Sequence, residues 1–297
     1  MLTRTKEILT TAKKNHYGVV APDFWDLNSA RDYVQTAQEL DAPILLSFAQ
    51  AHKHLISLEE AAAVGKIMAE SVKVPIALHL DHGEDFAYVK RAIELGFNSV
   101  MIDASMNPFD ENVRLTKEAA DYAHAHGVDI EAEIGHVGGT TESPTEMEEV
   151  ETIYTTVDEA AAFVEKTGVD SLAVSIGTSH GVYKNNKNPE LNFKRLQELA
   201  AAVPVPLVLH GGSGTGDENL KRAVREGITK VNVFTEFTTA ALNLPQKLFV
   251  KKNSKATCAF NRPLMKEFAA SCVTISLCLP SNSSYATTPI HSPASRG

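Results

Sequence analysis

Short apolar runs alternate along this chain with longer stretches whose apolar residues recur every three or four positions. The runs fall at 18–22, 44–49, 76–81, 99–104, 130–134, 171–176, 206–210 and 230–234. Amphipathic segments at 29–41, 57–72, 86–96, 112–127, 156–168, 191–203 and 216–227 lie between them. Blocks of apolar residues without strict alternation suit strands covered by helices, and their alternation with helices is the sequence form of repeated βα units. Gly96, Gly127, Gly168 and Gly227 each separate a helical segment from the next run, where a left-handed residue ends a helix. Eight units predict a single-domain α/β fold, the (β/α)8 TIM barrel, for which roughly 250 residues suffice. An open doubly wound sheet is the alternative that the same alternation allows.

The barrel domain is assigned to 1–279, and the Ser/Thr/Pro-rich stretch 280–297 reads as a disordered tail. Past 236 the pattern weakens to a helix broken at Pro245 and a short helix around RPLMKEFAASC. The connection 136–156, HVGGTTESPTEMEEVETIYTT, is long and polar, and reads either as a lid over the barrel mouth or as a surface insertion. The opening MLTRTKEILTTAKKNHYG is an amphipathic helix without the apolar core of a signal peptide.

The net charge of −9 excludes a general nucleic-acid binder, which would carry a basic face. No apolar stretch approaches the roughly 20 residues that span a bilayer. Cys258, Cys272 and Cys278 lie late in the chain without metal-ligand spacing, which fits a reduced, cytoplasmic protein.

The chemistry gathers at the ends of the runs. His82 in IALHLDHG (76–83), His180 in SLAVSIGTSHG (171–181) and His210 in PLVLHGGSG (206–214) stand at or just past C-terminal strand ends. In a parallel barrel these ends share one mouth, where the active site sits. Three imidazoles that leave a coordination position open suit a catalytic Zn2+. Asp81 precedes His82; in an extended strand the two would point to opposite sides, so both reach the mouth only if the backbone turns there. Asp103 and Glu133 close the fourth and fifth runs as alternative metal ligands, braces for the histidines or members of a structural ion pair. His79, facing the barrel core, and His52, His54, His124, His126 and His136, on helix or loop surface, read as structural. The turn HGGSGTG (210–216) and the end of KVNVFT (230–235) follow the seventh and eighth runs, where barrels bind phosphate, and Ser213 adds a hydroxyl. Metal and phosphate together suggest a phosphorylated substrate, and the residues alone leave aldol chemistry and metal-assisted hydrolysis both open.

These motifs make the chain resemble the class II, metal-dependent ketose-bisphosphate aldolases of the fructose- and tagatose-1,6-bisphosphate type. The matching pieces are LHLDHGED (78–85), GFNSVMIDAS (96–105), EAEIGHVGG (131–139), TGVDSLAVSIGTSHGVYK (167–184), PLVLHGGSG (206–214) and GITKVNVFTE (227–236), in that order. The middle segments are closest to the tagatose branch. The resemblance implies catalytic zinc on His82, His180 and His210. It implies that Asp81 protonates the aldehyde oxygen in condensation and removes that proton in cleavage. Asp103 and Glu133 match carboxylates that hold a displaced or second metal. Gly181, Gly211, Ser213, Asn232 and Thr235 match positions that hold dihydroxyacetone phosphate, with a monovalent cation, Na+ or K+, nearby. A cytoplasmic homodimer or homotetramer acting on a small sugar phosphate is the implied assembly.

Three departures stand out. The family's mobile-loop base is a glutamate eight residues after the one matching Glu133; here that position is Thr141, and Glu142, one later, is the expected base. The first strand ends Ala21-Pro22-Asp23 where the family has Ala-Phe-Asn, and Ala49 stands where a serine is usual, so a non-standard sugar phosphate is admissible. Beyond 236, only Pro263–Phe268 resembles the family.

Overall fold

Each of the eight runs becomes a strand in the computed structural model, which describes residues 2–137, 139–140, 149–150, 154–180 and 189–238. In chain order the main elements are α1 (Thr5–Asn15), β1 (Val19–Pro22), α2 (Leu27–Glu39), β2 (Ile44–Ala49), α3 (Leu58–Glu70), β3 (Ile76–Gly83), α4 (Phe86–Leu95) and β4 (Ser99–Ile102). They continue with α5 (Phe109–Ala125), β5 (Asp129–Ile134), α6 (Val157–Thr167), β6 (Ser171–Val174), α7 (Phe193–Ala202), β7 (Leu207–Leu209), α8 (Asp217–Glu226) and β8 (Ile228–Val233). Each strand pairs in parallel with its sequence neighbours, and β1 pairs with β8, Val19 opposite Lys230 and Pro22 opposite Val233. The sheet is a closed barrel, so the doubly wound alternative does not apply. Inside the long connection, Gly139–Thr140 pairs antiparallel with Glu149–Val150. No described helix is long and apolar enough to cross a membrane.

Local sequence sets the element ends. Asp26 and Ser29 form a reciprocal capping box at the start of α2, and Ser57 and Glu60 do the same at α3. Gly96 adopts φ +95° and returns its N–H to Ala92 and Ile93, a geometry a side chain would strain. The expected strands 99–104 and 171–176 stop at Ile102 and Val174, because the chain turns at the mouth to present side chains instead of continuing the ladder.

Strand alternation divides the side chains into two sets. Ile76, Leu78 and Leu80 of β3 join the large core between barrel and helices, while Ala77 belongs to a smaller cluster with Leu45, Val19, Ala21 and the α1 residues Ile8, Leu9 and Ala12. That cluster closes the barrel floor. Helix α1 is held there by Arg4 to Asp129, Lys6 to Asp170 and Lys13 to the carbonyls of Val203, Pro204 and Val205. Above the floor the interior turns polar: His79, Ser99, Glu131, Ser171 and Lys230 are all buried. Above that layer lies the mouth. The late helices, the cysteines and the 280–297 tail lie outside the described residues.

Candidate active site

A local irregularity in β3 brings Asp81 and His82 to the same side. The β3–β4 register shifts between Leu80 and Gly83, and His82 adopts a left-handed φ of +44°. This is the turn that simple alternation forbids. Gly83 is needed beside it, since a Cβ there would lie 2.6 Å from the Met101 carbonyl oxygen. Asp81 is buried and its Oδ1 accepts from Asn232 Nδ2 at 2.8 Å, while its Oδ2 lies 4.0 Å from His82 Nε2.

His82, His180 and His210 converge, each offering a ring nitrogen within 4.8 Å of the others. The protons on two rings follow from their partners. His82 Nδ1 donates to Asp103 Oδ2 at 2.8 Å, and His210 Nε2 to Glu131 Oε1 at 3.0 Å. The remaining nitrogens, His82 Nε2 and His210 Nδ1, face each other only 2.8 Å apart, a contact that is met either by a proton held between them or by a cation against two lone pairs. Glu133 Oε2 is buried 3.4 Å from His210 Nδ1 and has no hydrogen-bond partner. Imidazole nitrogens with an unsatisfied carboxylate oxygen are a donor set that fits Zn2+.

The clustered acids and the burial set the charge of the mouth. Burial pushes His82 down, but Asp81, Asp103 and Glu133 outweigh it and hold the ring well above its ordinary value. Burial, with His82 and His210 adding to it, pushes His180 down to about 3, which keeps the ring neutral. Burial raises Asp81, but the neighbouring His82, His210 and Lys230 reverse this and hold it below the usual carboxylate range. Glu133 is pushed up to about 7, first by burial and then by Asp103. The mouth therefore attracts positive charge.

Asp103 braces His82 and is itself fixed by Ser105, whose N–H and hydroxyl donate to Oδ1 at 3.1 and 2.7 Å. The turn after β7 packs against the segment before His180: Gly211 has φ +64°, and a Cβ there would meet the Ser179 carbonyl oxygen at 2.7 Å. Within this turn Gly212 N–H donates to the Asn232 carbonyl and Gly214 N–H to Glu236 Oε1, at 3.2 and 3.0 Å. Ser213 Oγ accepts from Phe234 N–H and Glu236 N–H, which ties the turn to the chain after β8. Thr235 is half-buried next to it. Gly181 and Glu142 lie outside the described residues.

Two histidines differ from their expected surface placement. His52 is buried and stacks on Phe234 at 4.3 Å, and His136 is half-buried, its Nδ1 3.0 Å from Ser105 Oγ. His79 does face the barrel core. Glu131, Lys230 and Ser105 were not singled out in the sequence. Glu131 shares the strand parity of Glu133, and Lys230 that of Asn232, so parity with an expected site residue was the available signal.

A closed parallel barrel with imidazoles and carboxylates gathered at its C-terminal mouth defines a barrel enzyme. Residues 3–279 match the family described as fructose-bisphosphate aldolase class-II, and the chain belongs to that family. It is a carbon–carbon lyase of the class II aldolase type. The Escherichia coli (strain K12) protein YdjI is 41% identical over 231 residues, 78% of this chain and 82% of YdjI. The crystal structure described as the YdjI aldolase superposes with a TM-score of 0.82 at 34% identity, covering 93% of this chain and 97% of that one. The fructose-bisphosphate aldolase of Campylobacter jejuni, at 21% identity, shares the fold with a TM-score of 0.74 over 95% of this chain and 97% of its own.

Proposed function

We propose that the protein is a zinc-dependent aldolase that reversibly cleaves a ketose 1,6-bisphosphate, of tagatose or fructose type, to dihydroxyacetone phosphate and an aldehyde phosphate. The observation that carries this reading is the convergence of ring nitrogens from His82, His180 and His210, all within 4.8 Å of one another, next to the buried carboxylate of Asp81. His82, His180 and His210 would hold the metal, with Asp103 and Glu133 available to a displaced or second ion. When bound, the metal supplies Lewis-acid stabilisation of the negative charge that develops on the substrate ketone oxygen. Asp81 gives a proton to the aldehyde oxygen in condensation and takes it back in cleavage, held for that task by Asn232. Gly181, Gly211, Ser213, Asn232 and Thr235 seat the dihydroxyacetone phosphate end, with Na+ or K+ beside it. Glu142 moves the proton at the nucleophilic carbon, with Glu146, Glu148 and Glu149 of the same connection as the fallback candidates. No Schiff-base lysine takes part. The working form is a cytoplasmic homodimer or homotetramer.

Incubation with fructose and tagatose 1,6-bisphosphates tests the reading. An aldolase releases triose phosphates and no inorganic phosphate, whereas release of phosphate identifies a metal-dependent phosphohydrolase. A protein that binds dihydroxyacetone phosphate but never exchanges its proton with solvent deuterium is a binder without catalysis. Full activity after complete metal removal would overturn the zinc assignment.

A further inference from the structure

Directly beneath the histidines, the barrel interior contains a lysine with no exposed surface. Lys230 Nζ lies 2.9 Å from both carboxylate oxygens of Glu131 and 3.1 Å from His79 Nε2, so each of its three protons has a partner. These contacts join β8, β5 and β3, which are not neighbours in the sheet, so they cross the barrel lumen. His79 Nδ1 lies 2.7 Å from Ser99 Oγ, and Ser171 Oγ donates to Glu131 Oε2 at 3.2 Å. The spacing of His79, Asp81 and Glu131 would suit a metal ion, but the ammonium of Lys230 lies against two of these three. A covalently tethered cation fills this layer, which leaves a free metal ion the layer above.

We propose that Lys230 is a positioning residue for the metal centre: it holds the Glu131 carboxylate in place, and Glu131 fixes the His210 ring with Nδ1 toward the mouth. The inference rests on the three-histidine metal reading above. A buried ion pair is weak evidence for stability, since two apolar residues of similar volume often do as well or better. The ends of α1 show how this chain uses ion pairs for tethering, with Arg4 and Lys6 largely exposed. Lys230 and Glu131 instead lie at the centre, and Glu131 directs its Oε1 to the one nitrogen of His210 that does not face the other histidines. Partners of this kind set which nitrogen a histidine offers, and their loss typically weakens metal binding about 10–100-fold. Without Lys230, the carboxylate has no counter-charge and His210 is free to rotate or exchange its tautomer.

The test uses Co2+ on the full chain, with affinity from chelator competition and geometry from the visible spectrum of the bound ion. Lys230→Met and Glu131→Gln should each weaken Co2+ binding by about 10–100-fold and alter the spectrum. The double variant should lose less than the product of the two single losses, because neither charge is then left without the other. Wild-type affinity and spectrum in both single variants, with only a lower melting temperature, would overturn the proposal and leave the pair a purely structural one. If Lys230→Met does not fold, the near-isosteric Glu131→Gln decides by the same readout. A wild type that binds no Co2+, or a His180→Ala variant that binds it as tightly as wild type, would instead remove the metal reading itself.

Discussion

Asparagine at position 81 separates proton transfer from everything else Asp81 does. Asp81 Oδ1 accepts a 2.8 Å hydrogen bond from Asn232 Nδ2, and the amide oxygen of an asparagine can accept the same bond. Alanine would leave that buried donor unpaired, at a cost of about 1–3 kcal/mol, and would confuse a stability loss with a chemical one. Asparagine cannot give and recover a proton. Loss of a general acid–base group lowers the rate by about 10²–10⁴. At about 1.36 kcal/mol per tenfold, that raises the barrier by about 2.7–5.4 kcal/mol. The metal should stay, because Asp81 lies outside the three-histidine set and the His82 ring is braced by Asp103. The assay couples triose phosphate release to nicotinamide oxidation, with elemental analysis of the same samples after dialysis against dilute zinc. We expect Asp81→Asn to retain about one metal per chain and lose turnover, and His180→Ala to lose both. Equal metal loss in the two variants, or wild-type turnover in Asp81→Asn, would refute the division of roles.

Glu142→Ala should slow proton exchange at the nucleophilic carbon of dihydroxyacetone phosphate about 10²–10⁴-fold, with zinc content unchanged in the same preparation; exchange at the wild-type rate would move the base to Glu146, Glu148 or Glu149. Gly83→Ala places a methyl group 2.6 Å from the Met101 carbonyl oxygen, and should destabilise the fold by about 1–3 kcal/mol in urea titrations while weakening Co2+ binding at the adjoining His82. Burial pushes Asp170 up, but the Ile130 N–H, His124 and Lys6 outweigh it and hold its carboxyl below the ordinary value. Its contribution to stability is therefore present above the unfolded-state pKa of about 4 and is lost as pH falls through the lower folded value. Asp170→Asn should flatten that acid limb in denaturation curves measured from pH 6 downward, and an unchanged slope would count against it.

The barrel was legible because every strand is a block of apolar residues and every helix carries a periodic face, so the two periods never compete. The three histidines were legible for a related reason: the C-terminal end of a barrel strand has a known fate. The adjacency of Asp81 and His82 was only half legible, since alternation predicts opposite faces and the register shift that unites them depends on a left-handed backbone at His82. Glu131 and Lys230 were missed because Glu131 is one of three alternating acids with Asp129 and Glu133, Lys230 looks like a lone charge in an apolar run, and their pairing spans 99 residues across the lumen. His52 was misread for want of Phe234, its ring partner, which lies just past the last strand and far from it in sequence. The glycine-rich turn promised free amides, yet two of them already serve Asn232 and Glu236, contacts that local sequence cannot reveal.

The order of the strands has a consequence for how the molecule comes to exist. His82 and His210 stand 128 residues apart and belong to different βα units, and the ring closes only when the last strand reaches the first. A growing chain therefore carries these histidines long before they can converge. Helix α1 works in the opposite direction: it precedes the first strand yet grips carbonyls at 203–205, so it waits for a segment 190–192 residues further on. Ion uptake during refolding thus reports the closing of the ring and not the appearance of helices, and a half-barrel fragment carrying only His82 should take up no ion at all. Such long-range closure is the slow part of assembly, since the loop entropy falls due before the contacts that offset it.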